Sequence, residues 1–112
     1  MTNINTVVVD GNLTRDPEIK FTNTGHQICN LSVAVNRSYQ RDGAWQDEVS
    51  FFNVTVFGKQ AEWAGANLAK GAGVVVEGRL KQDRWESNGQ TRSAVGIVAN
   101  KIVARAGGNA SG

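Results

Sequence analysis

Cysteine, histidine and net charge are all scarce in this chain, and each scarcity removes a class of function. Its 112 residues hold one cysteine, Cys29, and one histidine, His26. A single thiol cannot close an intramolecular disulfide, so the chain does not read as a stapled secreted domain. Cys29 shares strand parity with Leu31 and Val33, which marks a buried and inert thiol. His26 follows Gly25 in a loop and is expected in solvent. No cluster has metal-ligand spacing, and no Ser–His or Cys–His constellation can be assembled for nucleophilic chemistry. The formal charge is only +2, with a pI near 9.0. Any case for a polyanionic partner must therefore rest on where the charges lie.

Long apolar runs are also missing. Nothing approaches the roughly 20 residues of a membrane span. Met1 to Asn12 has no basic lead and too short an apolar run for a signal sequence, so a cytoplasmic location is expected. Nucleotide fingerprints fail as well. Gly71-Ala72-Gly73 follows a helical segment and precedes a strand, the wrong order for a dinucleotide turn, and Gly58-Lys59 lacks the rest of a Walker sequence. The carboxylates Asp10, Asp16 and Glu18 flank a glycine and a proline, where turn and solvent roles are expected. No enzyme activity, cofactor or metal is expected.

What is present is alternation. At 112 residues and 40% apolar, the chain fits one domain. A first strand, Ile4 to Leu13, is apolar on both faces at Val7, Val8 and Val9. Turns at Arg15-Asp16-Pro17-Glu18 and Thr22-Asn23-Thr24-Gly25 flank a short Ile19-Lys20-Phe21 stretch. A second strand runs from Gln27 to Arg37, with Leu31, Val33 and Val35 on its apolar face, and a third from Glu48 to Phe57. Arg41-Asp42-Gly43 between them marks the tip of a long hairpin. Lys59 to Lys70 changes period: Ala61, Ala64 and Leu68 fall on one helical stripe, and Gly71 supplies the stop. A fourth strand (Gly73 to Arg84), an Asn88-Gly89 turn and a fifth strand (Thr91 to Ala104) follow. Residues 1–105 thus form the expected domain, and 106–112 a flexible small-residue tail.

Three strands, one helix and two strands are the arrangement of an all-β, five-stranded OB-fold barrel. Period and turns alone leave a small sandwich or an SH3-like barrel open.

The informative residues are aromatics where strands should be polar. On the third strand Phe52, Val54 and Val56 form a core face, while Phe51, Asn53, Thr55 and Phe57 form the other. On the fourth, Val75, Glu77, Arg79, Lys81, Asp83 and Trp85 share a face. Flat rings beside basic side chains suit unpaired nucleobases, which stack on the rings while phosphates meet the cations. The bland alternative is that these rings pack under a loop, a helix or another subunit. Trp63 lies one residue off the helical stripe and is expected to pack on the barrel rim.

Several segments resemble the bacterial single-stranded DNA-binding protein family. They are Val9-Asp10-Gly11-Asn12-Leu13-Thr14-Arg15-Asp16-Pro17-Glu18, Val54-Thr55-Val56-Phe57-Gly58-Lys59-Gln60-Ala61-Glu62, Leu68-Ala69-Lys70-Gly71 and Val74-Val75-Val76-Glu77-Gly78-Arg79-Leu80. The resemblance runs from about Asn5 to Ala104. It implies an OB-fold, a homotetramer, and sequence-tolerant binding and protection of single-stranded DNA in replication, recombination and repair. It also implies four stacking aromatics, which fall at Tyr39, Phe51, Phe57 and Trp85. Phosphates would meet Arg37, Lys59, Arg79, Lys81 and Arg84. Family members usually carry a long tail with an acidic, hydrophobic tip that recruits repair and replication proteins. This sequence has no such tip before Gly112, whether as a shortened piece or a short natural form, so recruitment through a tail is not carried over to it. The rival expectations are an OB module for RNA or primosome assembly, and an oligomeric interaction protein that binds no nucleic acid.

Overall fold

Strand β1 (Val7–Leu13) opens the chain and also closes its barrel. In a computed structural model describing residues 1–105, it is followed by β2 (Glu18–Phe21), β3 (Gln27–Arg41), β4 (Ala44–Phe57), α1 (Gly58–Asn67), β5 (Gly73–Ser87) and β6 (Gln90–Ala104). The tail expected over 106–112 lies outside the described residues. Pairing runs β1-β5-β6-β4-β3, and β1 returns to β3 through Asn12↔Ala34 and Leu13↔Val33. That second pairing makes a closed five-stranded ring with one helix between β4 and β5, the OB-fold arrangement. Gly11 permits the closure. A Cβ there would collide with the Ala34 carbonyl oxygen and lie 2.8 Å from Val33 Cγ1.

The short Ile19-Lys20-Phe21 stretch proves to be a sixth strand. As β2 it pairs with β3 alone, from Glu18↔Asn30 to Phe21↔Gln27, outside the ring. The two long hairpins extend further than the alternation indicated. β3 and β4 stay paired from Ile28↔Phe57 out to Arg41↔Ala44. Their turn residues Asp42 and Gly43 take φ of 53° and 80°, and Asn88 and Gly89 of the β5–β6 turn take 53° and 77°. Both are tight two-residue connections with positive φ at both central positions, which Asp-Gly and Asn-Gly favour.

Helix α1 ends at Asn67, three residues before the expected Lys70. Leu68 is extended, at φ −109°, and its side chain turns into the core. The Asn67 side-chain Nδ2 donates to the Trp63 carbonyl at 2.9 Å. The next turn is pinned to the β1–β2 connection instead: the Lys70 N–H donates to Asp16 Oδ1 (2.8 Å) and the Gly71 N–H to the Leu13 carbonyl (2.9 Å). A register shift between Glu77 and Gly78 leaves Asn100 of β6 without an opposite residue. Gln60, in the first turn of α1, repairs it. Its Nε2 donates to the Asn100 carbonyl (2.7 Å), and its Oε1 accepts from the Ile102 N–H (3.1 Å).

The core is aliphatic: Leu13, Leu31, Val33, Val54, Val56, Val74, Val76, Ile97 and Ile102, with Cys29, Ala61, Ala64, Leu68 and Ala99. Burial of each large member contributes about 1.5–3 kcal/mol. Phe52, expected beside Val54 and Val56, is 36% exposed. β4 meets β6 only at Val54 and Thr55, so the inner face beyond them is uncovered by the neighbouring strand. The chain has four phenylalanines, three tryptophans and one tyrosine. None of them belongs to the buried core.

Candidate nucleic-acid interface

Three strands contribute to one outward face. Phe51, Asn53, Thr55 and Phe57 project from β4, as parity requires. β6 runs parallel beside it, with Thr55 opposite Val98. β5 follows antiparallel to β6, with Arg79↔Val98, Lys81↔Gly96, Asp83↔Ala94 and Trp85↔Arg92. These partners share a side of the sheet. The middle strand carries Gly96 and Ala94 between larger neighbours, so the face sinks into a groove of about 290 Å³. Asn53, Thr55 and Phe57 line one wall, and Lys81 and Asp83 the other. A Cβ on Gly96 would stand 3.3 Å from the Asn53 carbonyl oxygen, so a larger residue there would raise the floor and crowd β4.

Phe57 lines this groove, and Phe51 and Trp85 lie on the same face, two residues from Asn53 on β4 and two from Asp83 on β5. Phe51 is 64% exposed, Phe57 48% and Trp85 47%. Arg79 lies on the same side of β5 and is exposed. Lys59 is exposed in the first turn of α1, two residues past Phe57. Lys81 Nζ sits 3.1 Å from Asp83 Oδ1. That pair is solvated and contributes little, about 0–1 kcal/mol, so a phosphate could displace the carboxylate at small cost.

The remaining expected residues lie elsewhere. Tyr39 pairs with Gln46 and Arg37 with Glu48, placing both on the side of the β3–β4 ladder that carries Val33 and Phe52. There the Arg37 guanidinium lies 5.3 Å from the Tyr39 ring centroid and 3.5 Å from Glu48 Oε1. Arg84 alternates away from Trp85 and reaches Gln82 Oε1 at 3.3 Å. Two residues not singled out from the sequence share the groove side. Arg92 stands directly opposite Trp85, and counting back from the Asn88-Gly89 turn locates it. Trp45 shares the parity of Phe51 and is 70% exposed.

The groups set aside as chemistry have other work. Asp10 pairs with Arg105, whose second nitrogen donates to Asn12 Oδ1 at 3.0 Å. Asp16 accepts the Lys70 N–H (2.8 Å), and Glu18 lies 4.0 Å from Lys20 Nζ. Cys29 is fully buried, and desolvation pushes its thiol pKa up, as expected of an inert core residue. Among the described residues no group of His, Cys, Asp or Glu could hold a metal ion.

A closed five-stranded barrel with one helix between β4 and β5 and a groove on its outward face defines the OB-fold class. Comparison with known proteins narrows it. The model of the single-strand binding protein family matches residues 4–104, and the chain belongs to that family. The single-stranded DNA-binding protein of Treponema pallidum is 45% identical over 102 residues, covering 91% of this chain and 58% of the relative. That of Wolinella succinogenes is 38% identical over 100 residues, covering 88% and 62%. The chain thus spans about three-fifths of the length of these relatives. A deletion mutant of the single-stranded DNA binding protein from Thermus aquaticus superposes with a TM-score of 0.84 at 32% identity, covering 93% of this chain and 51% of that one. The Plasmodium falciparum SSB complex with ssDNA gives 0.86 at 22% identity, covering 94% and 97%, a likeness of fold.

Proposed function

We propose that this chain binds single-stranded DNA along the outward face of β4, β6 and β5. Binding is without strong sequence preference and without chemical change to the DNA. One observation carries this reading: the core uses no aromatic residue, while Phe57 lines the groove and Phe51 and Trp85 stand exposed on the same face of the sheet. Rings left in solvent forgo the stabilisation that burial provides, and every base offers a π-face whatever its identity. Arg79, Lys81, Lys59 and Arg92 supply phosphate contacts on that side. Tyr39, Arg37 and Arg84 lie on the reverse of the two hairpins, and a strand passing over the hairpin edges engages them. The role that follows is to hold exposed strands unpaired and protected during replication, recombination and repair.

Self-association into a homotetramer belongs to the same reading. The β1 edge from Val7 to Gly11 has no strand partner on the side away from β5, among the described residues. Val8 is 61% exposed, and Val103 on the same sheet is 41% exposed. Sedimentation at micromolar concentration is expected to give the tetramer, and a monomer would remove that part of the reading. A cytoplasmic, nucleoid-associated location is proposed with it; no helix among the described residues is long and apolar enough to cross a membrane.

The test is a tryptophan-fluorescence titration with oligo-dT beside a duplex and a matched RNA. Saturable quenching by oligo-dT that the duplex does not reproduce is the expected result. No response to oligo-dT would overturn the reading, and a preference for RNA would move it to an RNA-binding module.

A further inference from the structure

We propose that Asn5 is a positioning residue for the groove: its side chain sets the angle at which the β5–β6 hairpin leaves the barrel, and through it the spacing of the two groove walls. The proposal rests on the reading above and deepens it. Alternation runs the first strand back to Ile4, but the ladder with β5 stops at Val7↔Gly78. Two residues further back in that register, Asn5 stands at the position opposite Leu80. Its side chain takes the place of the missing strand pair. Nδ2 donates to the Leu80 carbonyl at 2.8 Å, and Oδ1 accepts from the Leu80 N–H at 3.0 Å. One planar amide thus satisfies both backbone groups of one residue.

Leu80 marks the row at which the hairpin is held. The register shift between Glu77 and Gly78 bends the ladder just before it. Across the sheet Leu80 pairs with Ile97, and Ile97 with Val54 of β4. The hairpin is therefore anchored on both edges at this row, by Asn5 beside β5 and by β4 beside β6. Further out, among the described residues, β5 and β6 pair only with each other, as far as Ser87↔Gln90. The side-chain hydrogen bonds of that stretch, Lys81 to Asp83 and Arg84 to Gln82, stay within it.

The next row outward is Lys81↔Gly96, a wall of the groove and its floor. Trp85 follows five residues past Leu80, about 17 Å along the strand. With the β5 edge released, the hairpin is left to pivot about its junction with β4. A pivot of about 10° would carry Trp85 by about 3 Å, about the spacing of stacked bases. Lys81 and Asp83 would shift with it against Asn53, Thr55 and Phe57 on the other wall. A groove held at its width before DNA arrives binds with a smaller ordering cost.

The experiment compares the unaltered chain with Asn5→Ala, Asn5→Gln, Trp85→Ala, and Asn5→Ala together with Trp85→Ala. Labelled oligo-dT anisotropy reads affinity. Amide hydrogen exchange of the free proteins reads the hairpin, and urea denaturation and sedimentation read folding and self-association. Asn5→Ala should speed exchange at the Leu80 N–H and over residues 81–87, with residues 74–76 as protected as before. It should weaken oligo-dT binding about 3- to 10-fold. Asn5→Gln, which keeps the amide, should recover part of that loss. In the Trp85→Ala background the loss should be smaller, because the ring that the hairpin carries is gone. Faster Leu80 exchange with unchanged affinity overturns the proposal. So does an equal loss in both backgrounds, which would make Asn5 act independently of the hairpin ring. A lowered urea midpoint with faster exchange throughout the core would make Asn5 a folding residue, and lost self-association with affinity falling alongside it would assign Asn5 to contacts between copies; both count against the proposal. An unaltered chain that does not bind oligo-dT fails the reading above and the proposal with it, a result seen before any Asn5 variant is compared.

Discussion

Replacing Trp85 by alanine separates a binding aromatic from a packing one. Trp85 lies on the part of β5 that continues past the barrel ring, three residues before the Asn88 turn, and is 47% exposed. Its cross-strand partner is Arg92. Removing the indole costs that cross-strand pair, about 0.2–1 kcal/mol. A tryptophan truncated inside a core would cost about 3–5 kcal/mol. The binding loss should be larger than the folding loss: about 1–3 kcal/mol for one base stack, or roughly 5- to 150-fold in affinity. The assays are urea denaturation for stability and anisotropy of a labelled oligo-dT for affinity, since the substitution removes a fluorophore. Trp85→Phe should restore much of the affinity because a π-face remains. Trp63→Ala should behave in the opposite way. Trp63 is 36% exposed on a helix packed against β3, and its loss should lower stability more than affinity. A Trp85→Ala protein that loses about 3 kcal/mol or more of stability, yet binds oligo-dT normally per folded molecule, would refute the stacking assignment.

Further expectations follow from the same geometry. If Arg79, Lys81, Lys59 and Arg92 each meet a phosphate, log K against log salt should slope at about −3, from roughly −0.7 per contact for single strands; a slope near zero would put the cations elsewhere. Gln60→Ala strips the Asn100 carbonyl and the Ile102 N–H of their side-chain partners and should cost about 1–3 kcal/mol in urea denaturation; an unchanged midpoint would show that water replaces both bonds. The folded chain holds the Cys29 proton above the thiol's ordinary value of 9.0, whereas the unfolded chain releases it there. The stability this provides is complete below that value and declines as pH rises past it; Cys29→Ala should show a shallower alkaline decline, and an identical one would exclude the thiol as its cause.

How far the sequence could be read depended on whether a feature is local. The turns at Asp42-Gly43 and Asn88-Gly89 are written in their own dipeptides, and both lie where those pairs indicated. Parity placed Phe51 and Phe57 on one side of β4 and Trp85 with Arg79 and Lys81 on β5. It could not join the two strands, because the join is β6, whose parallel pairing with β4 is non-local. The groove was illegible for the same reason: Gly96 and Ala94 become a floor only between taller neighbours. Resemblance and charge select Tyr39 and Arg37 as DNA contacts; the β3–β4 register, which sets them on the side of the ladder opposite Phe51, is not written in either residue. Arg84 and Trp85 are adjacent and so must point opposite ways on a strand, a distinction that alternation already contained. The helix end and β2 depended on Asp16, Leu13 and the edge of β3, partners remote in the chain. Phe52 obeyed its parity but lies where β4 has left β6, so its face is inner without being covered.

Photo-crosslinking tests the central claim most directly. A halogenated-deoxyuridine oligomer, irradiated on the protein and mapped by mass spectrometry, reports which rings touch bases. Phe21 is a built-in control: at 68% it is as exposed as Phe51, but it lies on β2, outside the barrel ring. The account predicts crosslinks at Phe51, Phe57 and Trp85 and none at Phe21. Crosslinks at Phe21 with none at the three groove rings would contradict it.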